Sequence, residues 1–511
     1  VKPISAFALI LVLMANLALL LPLVLLSPPR DNEIWLHQTI SAMRESGSMV
    51  PTLNGQHVSV ENVLALAGFS LTPFRGITSQ RTLNCMLGCI LIASIFVFSH
   101  AVFGPGTAVV SSLAAMTSLG FIALYGTLNM FILPITLAVI AYLLFSAVYL
   151  MGMHRSWYLA SYLLAAAASV TGGFTMLAFF IIGVILLILL DLEPQRFLTI
   201  KIASGAGIIA CFLIASYLIY RIFVGPGFTA GIMLPGEHLG LFSALKAIVL
   251  YSLPWIPLLV PAWAYGEGPG DQQAWRNLLP VRIAFILGLM ALWLSSRSLP
   301  QYAMLAMPFS AILTGRWVFM DLLKQERPGT LSTLMTLISG IIVFGTVMVL
   351  FLVYPLRGGS FDMGMIATLA GFALAALIFI VLLAKRRLTA GLVLASIGVA
   401  SAVWCMSFLH PEGLWEQKIS FMEKISRYSP LVVYEDDLVM RGYLDYEGSR
   451  PLVMPRDMAP LRETAYLAVA TGDLDDLVET LKIRMLPVIL DEYRAENTYG
   501  LVMISPRKGG E

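Results

Sequence analysis

Uncharged apolar runs as long as a bilayer is thick recur along most of this 511-residue chain, and nothing constrains its fold more. An α-helix needs about 20 residues to cross the hydrocarbon core, because each residue advances it only about 1.5 Å. By that rule candidate spans lie near residues 4–26, 86–103, 107–124, 130–153, 157–171, 174–191, 199–220, 246–265, 280–297, 299–319, 331–354, 364–384 and 391–409, thirteen in all. With 58% apolar and 12% charged side chains, the composition is that of an integral membrane protein rather than a soluble one. The expected fold class is a polytopic α-helical membrane protein.

Charge divides the chain in two. Of 62 charged side chains (32 basic, 30 acidic), 30 lie from His410 onward, which predicts a transmembrane body at 1–409 and a soluble domain at 410–511. The first apolar run is about twice the length of a signal-peptide core and no small-x-small site follows it, so it reads as a retained anchor. Short loops that retain lysine and arginine face the cytoplasm. Starting inside, such loops collect Lys2, Arg155, Arg196, Lys201, Arg276, Arg282, Arg316, Lys324, Arg327, Lys385, Arg386 and Arg387, against Arg221, Lys246, Arg297 and Arg357 outside. That count predicts a cytoplasmic N-terminus, and thirteen crossings then put the C-terminal domain on the extracytoplasmic side; the short loops suit the inner (plasma) membrane of a prokaryotic cell, and an endoplasmic-reticulum membrane has the equivalent topology. A net charge of +2, with no basic run longer than Lys385-Arg386-Arg387, excludes nucleic acid as a partner. Cys85, Cys89, Cys211 and Cys405 all sit in apolar runs, so they form neither a zinc knuckle nor a disulfide framework.

The first extracytoplasmic loop, 27–85, is the least hydrophobic part of the body. Its segment NEIWLHQTISAMRESG places Ile34, His37, Ile40 and Ser41 at helical spacing and ends in glycine, which predicts an amphipathic helix on the membrane surface. The tail alternates β-rich runs at 431–434, 465–470, 486–490 and 499–504 with a helical GDLDDLVETLKIR, the pattern of a small α/β domain.

Carboxylates are scarce where chemistry could occur. None stands between Glu61 and Asp191, and none sits mid-helix, where a proton or ion pathway would need one. Asp31 and Glu33 stand where the first helix leaves the membrane. They read either as interfacial charges or as a general base or ligand set for a divalent cation beside a lipid-borne donor. Glu33 and His37 share a face at i, i+4, and His57 and Glu61 repeat the spacing, so Asp31, Glu33 and His37 are the weak candidates for a metal site.

From Asp31 the sequence resembles the lipid-dependent GT-C glycosyltransferases, in particular the aminoarabinose transferase and protein O-mannosyltransferase branch. That family opens its first outer loop with Asp-Glu, reaches a Gly-x-Trp, then reads Pro-x-Leu-x-Gly and Glu-Lys-Pro. Here Asp31, Gly47, Pro51, Leu53 and Gly55 fall into register without a gap, and the likeness continues through Arg81, GTLNMF (126–131), SVTGGF (169–174), SLPW (252–255) and LPQYAMLAMPFSAIL (299–313). The resemblance implies about thirteen transmembrane helices, an outer α/β domain and a polyprenyl-phosphate lipid carrier as donor. It departs from the family in polar chemistry. The Glu after the first Asp is Asn32, the arginine one turn on is Ile34, Glu-Lys is Val60-Glu61, the second loop aspartate is Asn129, and two lysines are Gly172 and Ser298.

In the family those cations hold the donor phosphate, and losing one such contact costs about 3 kcal/mol, or about a hundredfold in rate. Arg297, Arg81, Arg221, Lys246 and His57 are expected to face outward and could stand in for them. Arg221 opens a glycine-rich outer stretch containing Glu237-His238, which reads equally as a substrate lid and as a plain connector. Three functions follow. In a membrane glycosyltransferase, Asp31, with Glu33 beside it, serves as base or metal ligand, Asn129 orients the acceptor, and Arg81, Arg297, His57, Glu61, Arg221, Glu237 and His238 bind substrate. A catalytically inactive GT-C pseudoenzyme would keep the lipid groove as a scaffold and use the C-terminal domain for a protein partner. A flippase or transporter would need a polar path that the helix interiors, with mostly Ser, Thr and Tyr, do not supply.

Overall fold

A computed structural model describes residues 3–26, 31–47, 52–53, 56–57, 70–73, 76–154, 156–190, 205, 241–264, 272–294, 300–323, 330–356, 363–385, 390–391, 394–399 and 401, and in the tail 431–434, 452–454, 465–470, 485–494 and 498–504. The body's helices are α1 (Pro3–Leu26), α2 (Asp31–Ser46), α3 (Ile77–Phe103), α4 (Pro105–Met116), α5 (Leu119–Tyr125), α6 (Ile132–Met151), α7 (Ser156–Gly172), α8 (Phe174–Leu190), α9 (Leu241–Tyr251), α10 (Ile256–Ala264), α11 (Gln272–Leu294), α12 (Ala303–Trp317), α13 (Thr330–Leu356) and α14 (Met363–Ala384). A two-residue antiparallel pair, β1 (Thr52–Leu53) with β2 (Gln56–His57), follows α2.

Among the described residues five helices are long and apolar enough to cross a membrane, and two bent pairs pass the same test together. The protein is a multi-pass membrane protein. Its expected span at 199–220 lies outside the described residues except for residue 205, as does most of 391–409.

The spans expected at 107–124 and 246–265 are each broken into two helices. The chain bends by 64° between α4 and α5 and by 106° between α9 and α10. At the first break, Thr117 Oγ1 donates to the Leu113 carbonyl at 2.6 Å and Ser118 Oγ to the Ala115 carbonyl at 2.7 Å. Hydroxyls turned back on the helix in this way compete with its ladder and bend it. The breaks dock on each other. The Leu119 amide donates to the Leu253 carbonyl at 2.9 Å, and Trp255 Nε1 to Thr117 Oγ1 at 2.8 Å. A Cβ on Gly120 would fall 2.6 Å from that of Tyr251, so this approach needs a glycine. Apolar pattern alone cannot show such a break, because both halves stay apolar.

Aromatic side chains fill the middle of the bundle. Tyr142 of α6 meets Phe309 of α12 edge-on at 5.8 Å between centroids, and Phe145 meets Phe180 of α8 edge-on at 5.9 Å, the arrangement ring quadrupoles favour. Gly104, at φ +96°, separates α3 from α4, and Pro105 restarts the helix where its missing N–H costs nothing.

Contacts assign helix ends to the two faces of the bundle. Arg316, near the end of α12, stacks 4.5 Å over Phe103, the last residue of α3. Tyr302, just before α12, meets Phe131 at 6.3 Å, and Phe131 follows the loop that touches the start of α3. One face therefore carries Arg81, Leu128 and Tyr302, and the other carries Phe103 and Arg316.

In the tail, β3 (Leu431–Tyr434), β4 (Leu452–Met454), β5 (Ala465–Ala470), β6 (Met485–Arg494) and β7 (Thr498–Ile504) form one mixed sheet in the order β4-β3-β5-β7-β6. β3 runs parallel to β4 and β5, with Leu431 opposite Tyr466, while β7 runs antiparallel to β5 and β6. Four of these strands coincide with the β-rich runs of the sequence, and β4 is an addition. The helical run at 472–484 lies outside the described residues.

Candidate functional site

The polar residues of the first outer loop meet at the head of α3. Helix α2 spans Asp31–Ser46 and ends at Gly47 with φ +64°, the left-handed conformation in which glycine stops a helix. Leu36, Ile40 and Met43 of its inner face cluster with Leu128. Of the Ile34, His37, Ile40 and Ser41 face of the sequence reading, Ile40 belongs to this cluster and Ile34 is likewise buried, while Leu36 and Met43 are additions. Arg44 fixes its far end, with Nε and Nη2 donating to the carbonyls of Ser70 and Thr72 at 3.1 and 3.0 Å.

Glu33 and Arg81 lie at the centre, each only 2% exposed. Arg81 Nε donates to Glu33 Oε1 at 2.8 Å and Nη2 to Oε2 at 2.6 Å, a bidentate fork that satisfies both carboxylate oxygens. The Leu128 amide adds a third bond to Oε1 at 2.6 Å. Around this pair, Asn84 Nδ2 donates to the carbonyls of Thr127 and Asn129 at 2.8 and 3.2 Å, and His37 Nδ1 donates to Gln80 Oε1 at 3.1 Å. Asn129 Oδ1 accepts the Phe131 amide at 2.9 Å, closing a side-chain turn in the connection from α5 to α6. Gln80 Nε2, a donor, and Asn84 Oδ1, an acceptor, are fully buried and make no hydrogen bond among the described residues.

The structure thus brings Glu33, Arg81, His37 and Asn129 into one cluster. Arg81 meets a carboxylate of its own chain. Glu33 is the partner of a cation and a backbone amide, an arrangement that does not suit a general base. Asp31 occupies the first position of α2, two residues before Glu33, and His57 lies in β2. Glu61, Arg221, Glu237, His238 and Arg297 lie outside the described residues. No group of three or more His, Cys, Asp or Glu side chains gathers among the described residues. The sequence reading missed Gln80 and Asn84. Their signal is three polar residues, at 80, 81 and 84, on one turn of an otherwise apolar helix.

No family profile and no curated protein matches this sequence. The fold does match. The apo structure of ArnT from Cupriavidus metallidurans superposes with a TM-score of 0.70 at 17% identity, over 98% of each chain. The structure of ArnT bound to undecaprenyl phosphate gives 0.67 at 16% identity, over 98% of this chain and 97% of that one. At this identity the likeness concerns the fold alone.

Proposed function

We propose that this GT-C-fold protein is a membrane glycosyltransferase that moves a sugar from a polyprenyl-phosphate donor to an acceptor on the extracytoplasmic side. The observation that carries this reading is the convergence of α2, the head of α3 and the 127–131 connection at one end of the bundle. Asp31 opens the first of these elements and Asn129 lies in the third. The match over almost the whole length to a fold solved with undecaprenyl phosphate supports the same donor class. In this scheme the Asp31 carboxylate takes the proton of the acceptor hydroxyl or amine as that atom attacks the anomeric carbon. The bond to the polyprenyl phosphate breaks, and the phosphate leaves as the anion. Asn129 orients the acceptor, and Arg297, Arg221 and His57 supply positive charge or hydrogen bonds to the leaving phosphate. A divalent cation at Asp31 would assist the same step.

A second reading, the pseudoenzyme, has its own support. Arg81 is a cation at the head of α3, and Glu33 and its fork neutralise it internally. A scaffold that only binds lipid needs no unpaired cation there, and its C-terminal sheet would serve a protein partner.

The test is transfer or release of labelled sugar from a panel of polyprenyl-phosphate sugars by purified protein in lipid, comparing wild type with Asp31→Asn. Turnover that disappears in the variant supports the transferase. Absence of turnover with every donor, while polyprenyl phosphate remains bound in native mass spectrometry, supports the scaffold.

A further inference from the structure

We propose that Arg282, flanked by Trp263 and Trp275, forms a seat for the phosphate group of an anionic membrane lipid in the leaflet opposite the Glu33–Arg81 cluster. This inference is independent of any transferase activity. It rests on a buried cation whose partners among the described residues are aromatic faces alone.

Arg282 is in α11, about nine-tenths buried. Its guanidinium lies 4.9 Å from the Trp275 ring centroid and 5.7 Å from that of Trp263. Both distances fall within the reach of a cation–π attraction. Ring faces attract the charge but accept none of the five directed N–H bonds of a guanidinium. Arg282 Nε is buried without a hydrogen-bond partner, and among the described residues no carboxylate pairs with this side chain. The contrast with Arg81 is direct, since that arginine, equally deep, carries a complete carboxylate fork.

The fold places Arg282 toward the face opposite that fork. A Cβ on Gly288 of α11 would fall 2.5 Å from the Ala306 backbone nitrogen, while Tyr142, whose ring meets Phe309, donates to the Pro280 carbonyl at 3.2 Å. Moving from 288 to 280 therefore moves from 306 toward 309, and α11 runs antiparallel to α12. Its N-terminal half lies toward the Arg316 face. Arg282 reaches back two turns to Trp275, in the direction helical side chains take, and so extends toward that face.

Trp263 and Trp275 are 38% and 51% exposed and lie on helices apolar enough to enter a membrane, where lipid is the surrounding solvent. Tryptophan favours headgroup depth, and a planar guanidinium matches two oxygens of a phosphate at once. A lipid phosphate entering from the leaflet supplies the missing acceptors, and its glycerol and acyl chains lie against the two indoles.

The experiment uses the purified full chain in micelles titrated with phosphatidylglycerol or phosphatidylcholine and read by native mass spectrometry. The expected result is one preferentially retained phosphatidylglycerol in the wild type. Its apparent affinity falls about tenfold in Arg282→Gln, and less in Arg282→Lys, which keeps the charge but loses the planar fork. Trp275→Leu leaves the charge in place and is the second variant if Arg282→Gln does not fold. It weakens the same adduct, whereas Trp275→Phe retains it. Equal retention of phosphatidylglycerol in Arg282→Gln and wild type, or in Trp275→Leu and wild type, overturns the proposal. Displacement of the lipid by inorganic phosphate at equal concentration assigns the seat to a free anion and overturns the lipid assignment.

Discussion

Arg81 grips Glu33 with two parallel hydrogen bonds, 2.8 and 2.6 Å long, across 48 positions of sequence, and both side chains are sealed from solvent. This fork joins the first outer helix to the head of α3, and the Leu128 amide brings the 127–131 connection onto the same carboxylate. A buried pair contributes little net stability relative to apolar side chains of the same size, yet breaking one half leaves an uncompensated charge. Glu33→Leu is therefore expected to destabilise the protein by about 3–5 kcal/mol. The double variant Glu33→Leu/Arg81→Met should recover most of that loss. Thermal unfolding of wild type, Glu33→Leu, Arg81→Met and the double variant in one detergent gives the coupling energy, and a coupling near zero refutes the clamp.

Asn84 holds the 127–131 connection from the other side, with its amide nitrogen shared between two carbonyls. Asn84→Leu removes that donor and leaves both carbonyls short of a partner, a cost of about 1–3 kcal/mol. The effect should be local. Hydrogen exchange at Leu128 and Phe131 is expected to accelerate while the amides of α6 stay protected, and mass-spectrometric exchange on peptides spanning 124–135 resolves the two.

The contrast between these contacts and the apolar frame explains what was legible in the sequence. Hydropathy reveals the long helices because the membrane requires them to be apolar, and short continuous runs of apolar and aromatic residues such as LVVY and AYLAVA mark β3 and β5. Strand β4 is invisible because its three residues stand between Pro451 and Pro455, two strand breakers. The bends near Thr117 and Ser252 leave no mark on hydropathy. The Glu33–Arg81 fork is a tertiary contact, so local spacing carries no trace of it. Glu33 reads as a candidate base because it is acidic and lies at the membrane surface, and its bonds to Arg81 and the Leu128 amide come from neighbours distant in sequence.

The docked breaks give a third prediction. Trp255 Nε1 donates to Thr117 Oγ1 at 2.8 Å, with the indole buried at the junction of α9 and α10. Thr117→Val leaves that donor without an acceptor and should cost about 1–3 kcal/mol. In a double-mutant cycle with Trp255→Phe, which removes the donor, the second change should cost less than it does alone. Additive costs would mean that the two breaks do not communicate through this bond.

Helix α11 approaches α12 closely enough that a side chain at Gly288 meets the backbone of Ala306, and backbone cannot yield as a flexible side chain can. Gly288→Val is expected to lose at least about 1–3 kcal/mol through overpacking. Gly371 of α14 is the control, because a Cβ there meets nothing within 4 Å. Gly371→Ala should be neutral or stabilising by up to about 1 kcal/mol. The two melting temperatures, measured side by side, test whether the α11–α12 contact is as tight as its geometry indicates.

Asn129 separates architecture from chemistry. Its Oδ1 accepts the Phe131 amide at 2.9 Å, and an aspartate oxygen can accept the same bond, so Asn129→Asp should fold with stability within about 0.5 kcal/mol of wild type. Asn129→Leu loses the acceptor and should cost about 1 kcal/mol. If the protein transfers sugar, a carboxylate at 129 adds a second proton acceptor on the connection that Glu33 and Asn84 hold in place. Transfer should then rise by at least about tenfold. The decisive comparison is turnover of Asn129→Asp with and without Asp31→Asn. A gain that vanishes when Asp31 is replaced places both residues at one reacting centre. A stable Asn129→Asp protein that binds polyprenyl phosphate and turns nothing over assigns this end of the bundle to binding alone.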